Sequence, residues 1–260
     1  MLKIEKFVTA SPEQWEIIIE GMRNPKNSWD RMDSYATHIE DPETLETADY
    51  AYFIGPNDQT LMETLAKGGP VHAKYRRMIP VWLTLTAPLY WWKEFDTYKV
   101  GTVANSCSTM HKIHSKEFTF EDFSREHLID NWVGDNGESI YSWVCPNLEQ
   151  ELFASPNDGL RLIIGLLNAN REAYLKYDDM IKNKHGSVPF DEAVAARKKY
   201  WWQMIQLLPS SYNQKRTVML NYEVLHNIYV SRKDHKLDEW HVFCDWIREL
   251  PYSELITGEE

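Results

Sequence analysis

The chain has 260 residues, a formal charge of −11, 43% apolar and 26% charged residues, which is the balance of an ordinary globular protein with a sizeable core. So acidic a chain argues against sequence-independent binding to nucleic-acid polymers, and no apolar run is long enough to cross a bilayer. Three widely spaced cysteines (Cys107, Cys145, Cys244), with no CxxC pair, suggest reduced thiols and a cytoplasmic setting; the opening MLKIEKFVTA is too short and too charged for a signal peptide.

In chain order, LKIEKFV alternates as a strand does, and SPEQWEIIIEGM opens a helix. Ser11 is placed as N-cap, Pro12 at the first helical position and Gln14 to close a capping box. A loop rich in Asn, Asp and Ser follows, then a helix over Asp58–Lys67, ended by Gly68-Gly69-Pro70. The run MIPVWLTLT at 78–86 is rich in strand formers, and PLYWWKEFDTY starts with proline as helices do. Residues 121–150 mix turn signals with short helices. Helical periodicity covers Asp158–Asn183 and Phe190–Leu208, which Pro209 stops, and two more helices are expected near Asn221–Arg232 and Asp238–Leu250. KNKHGSVP at 182–189 reads as a loop between helices, so one domain over 1–260 of α/β or α+β class is expected.

Two polar sites stand out. GTVANSCSTMH at 101–111 carries Asn105, Ser106, Ser108 and His111 beside an apolar, aromatic run. Small polar residues next to a rigid element suit a ligand, and they also suit a plain loop; no Gly-Lys-Ser/Thr makes it a P-loop. In NYEVLHNIYVSR, Asn221 and Arg232 are close to three helical turns apart and share a face, while Glu223 and Asn227 share a neighbouring one. That face is either a set of buried polar groups in need of partners or a solvated surface with Arg232 as a favourable C-terminal charge. His111 and His114 have the spacing of a metal pair, but no HExxH or cysteine pair accompanies them, and no metal is expected.

Taken together these segments resemble the flavin-dependent thymidylate synthases. The family motif runs Arg-His-Arg, three positions, Asn-Glu, one residue, Ser, one residue, Arg; here it corresponds to YKVGTVANSCSTMH, with Asn105 and Ser108 on the asparagine and serine. Upstream stand His72 in GGPVHAKYRR and the run VWLTLTAP. Downstream, LLPSSYNQKRTVMLNYEVLHNIYVSR places Pro209, Asn221, Asn227 and Arg232 at the family's intervals. The likeness covers about 70–115 and 205–245.

The resemblance implies a central, mostly antiparallel sheet flanked by long helices, a homotetramer, and FAD-dependent methylation of dUMP. Methylenetetrahydrofolate would supply the carbon and NADPH the reducing power. It further implies that His72, Lys99, Asn105, Ser106, Asn221 and Asn227 serve the cofactor. Lys93, Ser108 and Arg232 would serve the nucleotide, with Arg232 polarising the pyrimidine carbonyl. Several motif charges are replaced. The Arg-His-Arg triplet falls around Tyr98-Lys99-Val100, its glutamate is Ser106, and its last arginine is Met110. Glu223 and Ile205 stand where arginines are usual. Each lost charge-assisted bond to a phosphate removes about 1.5–3 kcal/mol. Two further readings follow: the same chemistry on a different pyrimidine nucleotide, or a non-catalytic relative that serves as a binding subunit.

Overall fold

The computed structural model describes residues 1–40, 47–130 and 155–258. They form two compact units: the larger takes in Leu2–Thr86, Trp91–Ser106 and Lys215–Glu260, the smaller Met1, Ala87–Tyr90 and Cys107–Gln214.

The larger unit is built on four strands in the order β1 (Lys3–Val8), β4 (Pro80–Pro88), β6 (Asn213–Asn221) and β5 (Val103–Ser106). β1 runs antiparallel to β4, and β5 antiparallel to β6, with Asn105 opposite Thr217. In β4 the period-two pattern puts Val81, Leu83, Leu85 and Ala87 on the buried face, as branched and apolar side chains at alternate positions require. Thr84 and Thr217 hydrogen-bond through their hydroxyls at 2.9 Å across β4 and β6.

Helix α1 (Pro12–Arg23) begins with the expected capping box: Ser11 N donates to Gln14 Oε1 at 2.9 Å and Gln14 N to Ser11 Oγ at 3.3 Å. Its inward stripe is Trp15, Ile18, Ile19 and Met22. The start of α2 (Pro56–Lys67) is tied down by Asp33, whose carboxylate accepts from Asn57 N at 2.9 Å and Asp58 N at 3.1 Å. Gly55 is needed there, because a Cβ would fall 2.3 Å from Asp33 Cγ. Asp58 is itself buried on Arg23, and its other oxygen accepts from the backbone and hydroxyl of Ser34 and the backbone of Asp33.

Three further helices complete the unit: α6 (Tyr222–Arg232), α7 (Asp238–Arg248) and the short α8 (Glu254–Thr257). With Trp91–Phe95 of α3 (Leu89–Phe95) they bury an aromatic cluster, in which Trp91 lies 4.9 Å from Trp92 and 4.7 Å from Trp240, ring centre to ring centre.

The smaller unit is dominated by two long helices, α4 (Pro156–Asn183) and α5 (Phe190–Leu207). Ile113, Phe118, Phe123, Leu160, Ile164, Leu167 and Met204 form its core. Leu89 N and Tyr90 N donate to Tyr212 O and Ser210 O, both at 3.0 Å.

Three departures from the sequence reading have physical causes. The polar loop expected after α1 holds a hairpin, β2 (Tyr35–Glu40) and β3 (Thr47–Phe53), with Tyr35 opposite Phe53 and Thr37 opposite Ala51. β6 is also a strand without an announced pattern, because its first half, NQKRT, is polar and the strand lies between β4 and β5, pairing with β5 over Arg216–Met219. Third, the front of the polar stretch 101–111 is not loop: Val103–Ser106 lies along the open edge of β6 as β5, exposed at all four positions. Of the turns and short helices expected over 121–150, the part among the described residues includes a 3-10 turn at Phe120–Asp122; residues 131–154, with Cys145, lie outside the described residues.

Candidate functional site

Arg232 ends α6, the helix that leaves β6 at Asn221. Burial of Tyr222, Val224, Leu225, Ile228 and Tyr229 fixes its rotation. The Arg232 side chain is 19% exposed and stands among aromatic and acidic groups. Its Nε donates to the Tyr98 hydroxyl at 3.0 Å and its Nη1 to Glu94 Oε2 at 2.9 Å. The guanidinium carbon stands 5.0 Å from the centre of the Trp240 ring, a cation–π distance. Glu94 Oε2 also accepts from Trp240 Nε1 at 2.9 Å and lies 3.4 Å from His235 Nε2. One carboxylate oxygen thus gathers an arginine, an indole and an imidazole. The cluster presents a positioned cation beside a hydrogen-bonding phenol, which is what polarising a carbonyl requires.

Beside it the same end of α3 holds a second arginine. Arg216, on β6, donates through Nη1 to Asp96 Oδ1 at 2.7 Å and lies 4.2 Å over the Trp92 ring. Each arginine is therefore matched by a carboxylate of the segment 94–96.

At the other end of α6, Asn221 is the N-cap, accepting from Val224 N at 3.1 Å. Its amide nitrogen faces Gly101, whose φ is +84°. A Cβ on Gly101 would meet Asn221 Nδ2 at 2.9 Å and Val224 Cγ2 at 3.2 Å, so only glycine lets this loop close on α6.

The structure distributes the remaining sequence candidates as follows. Lys93 and Lys99 are exposed, and it is Glu94 rather than Lys93 that turns to Arg232. Asn105 and Ser106 stand on exposed β5, beside Thr217 and Arg216 in the register. Asn227 is exposed on α6, well round the helix from Asn221. His72 is exposed in the turn after α2 and lines a cavity of about 450 Å³ with Met22, Leu65, Tyr75 and Met78. That cavity shares no lining residue with the Arg232 cluster. Ser108, in the smaller unit, caps a turn by accepting from His111 N at 2.9 Å. His114 rests 4.4 Å from Tyr174, and burial lowers its pKa, while His111 is exposed; among the described residues no group of three or more His, Cys, Asp or Glu could hold a metal ion. Cys107 and Cys244 are free thiols, and burial pushes the Cys244 thiol up to about 11.

Sequence reasoning missed Glu94, Trp240 and the role of Tyr98. The signal was weak but present. Glu94 precedes Tyr98 by one helical turn, and His235 and Trp240 stand in the short tract that follows Arg232.

No protein-family model and no curated protein sequence matches the chain. A crystal structure of thymidylate synthase X from Helicobacter pylori, solved with FAD and dUMP, matches over 99% of this chain and 97% of that one, with a TM-score of 0.51 at 12% identity. A second structure of the Helicobacter pylori enzyme, complexed with FAD and dUMP, covers 99% and 98% with a TM-score of 0.48, also at 12% identity. At the level of fold the likeness seen in the motifs is borne out: the chain is folded, over nearly its whole length, as thymidylate synthase X is.

Proposed function

We propose that this chain is a flavin-dependent methyltransferase of the thymidylate synthase type, converting dUMP to dTMP. The observation that carries the reading is Arg232, a guanidinium held by Glu94 and Tyr98 against Trp240 on this fold. Fold alone would not support an activity; a positioned cation at the end of a buried helix adds the chemistry.

The donor set suits a flavin. Asn105 and Ser106 on the exposed edge strand and Asn221 beside the Gly101 cradle offer amide and hydroxyl groups for a ring and its ribityl chain. Lys99 offers a charge for a phosphate, and His72 and Asn227 are exposed donors in the same role. When bound, reduced FAD would supply hydride, with methylenetetrahydrofolate as carbon source and NADPH as reductant. The chain's own residues bind, orient and polarise. Arg232 withdraws electron density from the pyrimidine carbonyl, while Lys93 holds the nucleotide. A homotetramer working in the cytoplasm belongs to the same reading.

One observation favours a second acceptor. Arg232 and Arg216 are both paired with carboxylates of this chain, which leaves less net positive charge around the site for an anionic nucleotide than two arginines without such partners would. The same chemistry on a differently charged pyrimidine nucleotide follows from that.

The test is an absorbance spectrum of the purified protein before and after addition of FAD, followed by a dUMP assay. Flavin bands and dUMP-dependent formation of dTMP support the first reading. Flavin bands with no dTMP favour the altered acceptor. A protein that takes up no FAD is a non-catalytic homologue that keeps the fold.

A further inference from the structure

A second cavity, of about 570 Å³, opens between α2, α6, α8 and the 3-10 turn Lys74–Met78, all in the larger unit. His226 lines it from α6. At 3.6 residues per turn His226 projects roughly 120–140° away from both Asn221 and Arg232, so the cavity lies on a different side of the helix from them.

Its inner wall holds Arg76, 4% exposed, whose Nε has no hydrogen-bond partner among the described residues. A guanidinium N–H buried without an acceptor is costly and rare, and it marks a place where an anion belongs. Burial, the largest influence, pushes the neighbouring Tyr75 phenol up to about 12, against the Arg76 charge and a side-chain hydrogen bond with Arg76, so the guanidinium has one neutral partner while its Nε is left without an acceptor among the described residues. Around Arg76 the wall carries both signs: Lys67 adds a cation, Glu63 and Glu254 add carboxylates. The Gln59 amide donates to Glu63 Oε1 at 3.3 Å, and His226 Nδ1 donates to Ile256 O at 2.7 Å. Ala66 and Leu255 supply apolar surface.

We propose that this cavity binds a small zwitterion with the chemistry of a free amino acid. Its carboxylate lies on the Arg76 guanidinium, the geometry for which arginine is best suited, and its ammonium lies toward Glu63 and Glu254. A polyanion such as a nucleotide is repelled by the two glutamates, and a simple cation leaves Arg76 without its acceptor. The site is independent of the flavin reading.

The test is thermal unfolding of the full chain against the common L-amino acids at millimolar concentration. For each hit, the matching amine without carboxylate and the matching acid without amine are run beside it. A ligand of the folded state raises Tm in proportion to its occupancy. At least one amino acid is expected to raise Tm saturably, with neither partial analogue doing so. Arg76→Gln is expected to weaken its apparent affinity by about tenfold or more. Glu254→Gln, which removes a carboxylate lining the cavity, provides a second variant if Arg76→Gln does not fold; it should weaken the apparent affinity for the amino acid. No shift with any amino acid overturns the proposal, as does an equal shift with the acid alone, which would make this a plain anion site. Full retention of the shift in Arg76→Gln overturns it too.

Discussion

Glu94 decides what Arg232 can do. Its one oxygen accepts from Arg232 and Trp240 and stands near His235, so any ligand that needs the guanidinium competes with an acid already in place. The pair is partly exposed, with Glu94 at 34%, so its worth to stability is modest, at most about 1 kcal/mol. Its worth to binding is larger, because a nearby carboxylate repels an anionic substrate. Glu94→Gln should therefore leave the thermal midpoint nearly unchanged and tighten dUMP, read as a lower Kd by calorimetry. Weaker or unaltered dUMP binding would show that Glu94 orients the arginine instead of competing for it. Arg232→Ala should fold and lose turnover by roughly 100-fold or more, the scale of losing one donor to a developing charge. A turnover rate equal to that of the unaltered chain would remove Arg232 from the site.

At the scale of elements, α6 is where sequence and site meet. Asn221 caps it, and the same side chain leaves room only for a glycine at 101. Asn221→Ala should cost about 1 kcal/mol, the usual price of an N-cap. Gly101→Ala should cost about 1 kcal/mol or more, since φ of +84° strains any L side chain and the new Cβ meets the Asn221 amide. Urea unfolding of both single variants and the double variant checks this: the double should cost less than the sum, because alanine at 221 removes the group with which the Gly101 Cβ collides. The helices were legible because their signals are local. The Ser11–Gln14 box, the Gly68-Gly69-Pro70 stop and the periodicity of Asp158–Asn183 all act within a few turns. β6 and the β2–β3 hairpin were not, since the polar NQKRT is held as a strand by distant neighbours, β4 and β5, and Tyr35 by facing Phe53. For the site, Asn221 and Arg232 could be placed on one face by counting residues. The approach of Glu94 to Arg232 and Trp240 spans well over a hundred residues of chain and has no local signature.

Over the whole molecule, each unit carries its own charged anchor, and the two anchors predict how the protein meets acid. Asp58 in the larger unit is buried on Arg23. Burial raises its pKa, but hydrogen bonds from Ser34, Asp33 and Arg23 outweigh that and hold the carboxyl below its ordinary range. Asp178 in the smaller unit behaves alike: burial opposes, and Lys182 and Arg197 prevail. A carboxylate whose pKa is lower folded than unfolded stabilises the fold above the unfolded value, near 3.9, and that contribution is lost as pH falls through the folded value. In that range the unfolded chain binds more protons, so stability rises with pH. Urea midpoints should accordingly be nearly level between about pH 5 and 7, so far as these carboxylates act, and fall steadily below about pH 4. Asp58→Asn separates the two anchors. It leaves the Arg23 charge buried without its carboxylate, which should cost about 3–5 kcal/mol at neutral pH. It also removes one of the lowered titrations, so the acid limb should be shallower than in the unaltered chain, the remaining slope reflecting Asp178 together with Glu5, Glu13 and Glu126, whose carboxyls are also held below their ordinary range. An acid limb of unchanged slope in Asp58→Asn would mean that Asp58 titrates alike in both states, and that the hydrogen bonds gathered on it do no more than offset the cost of its burial.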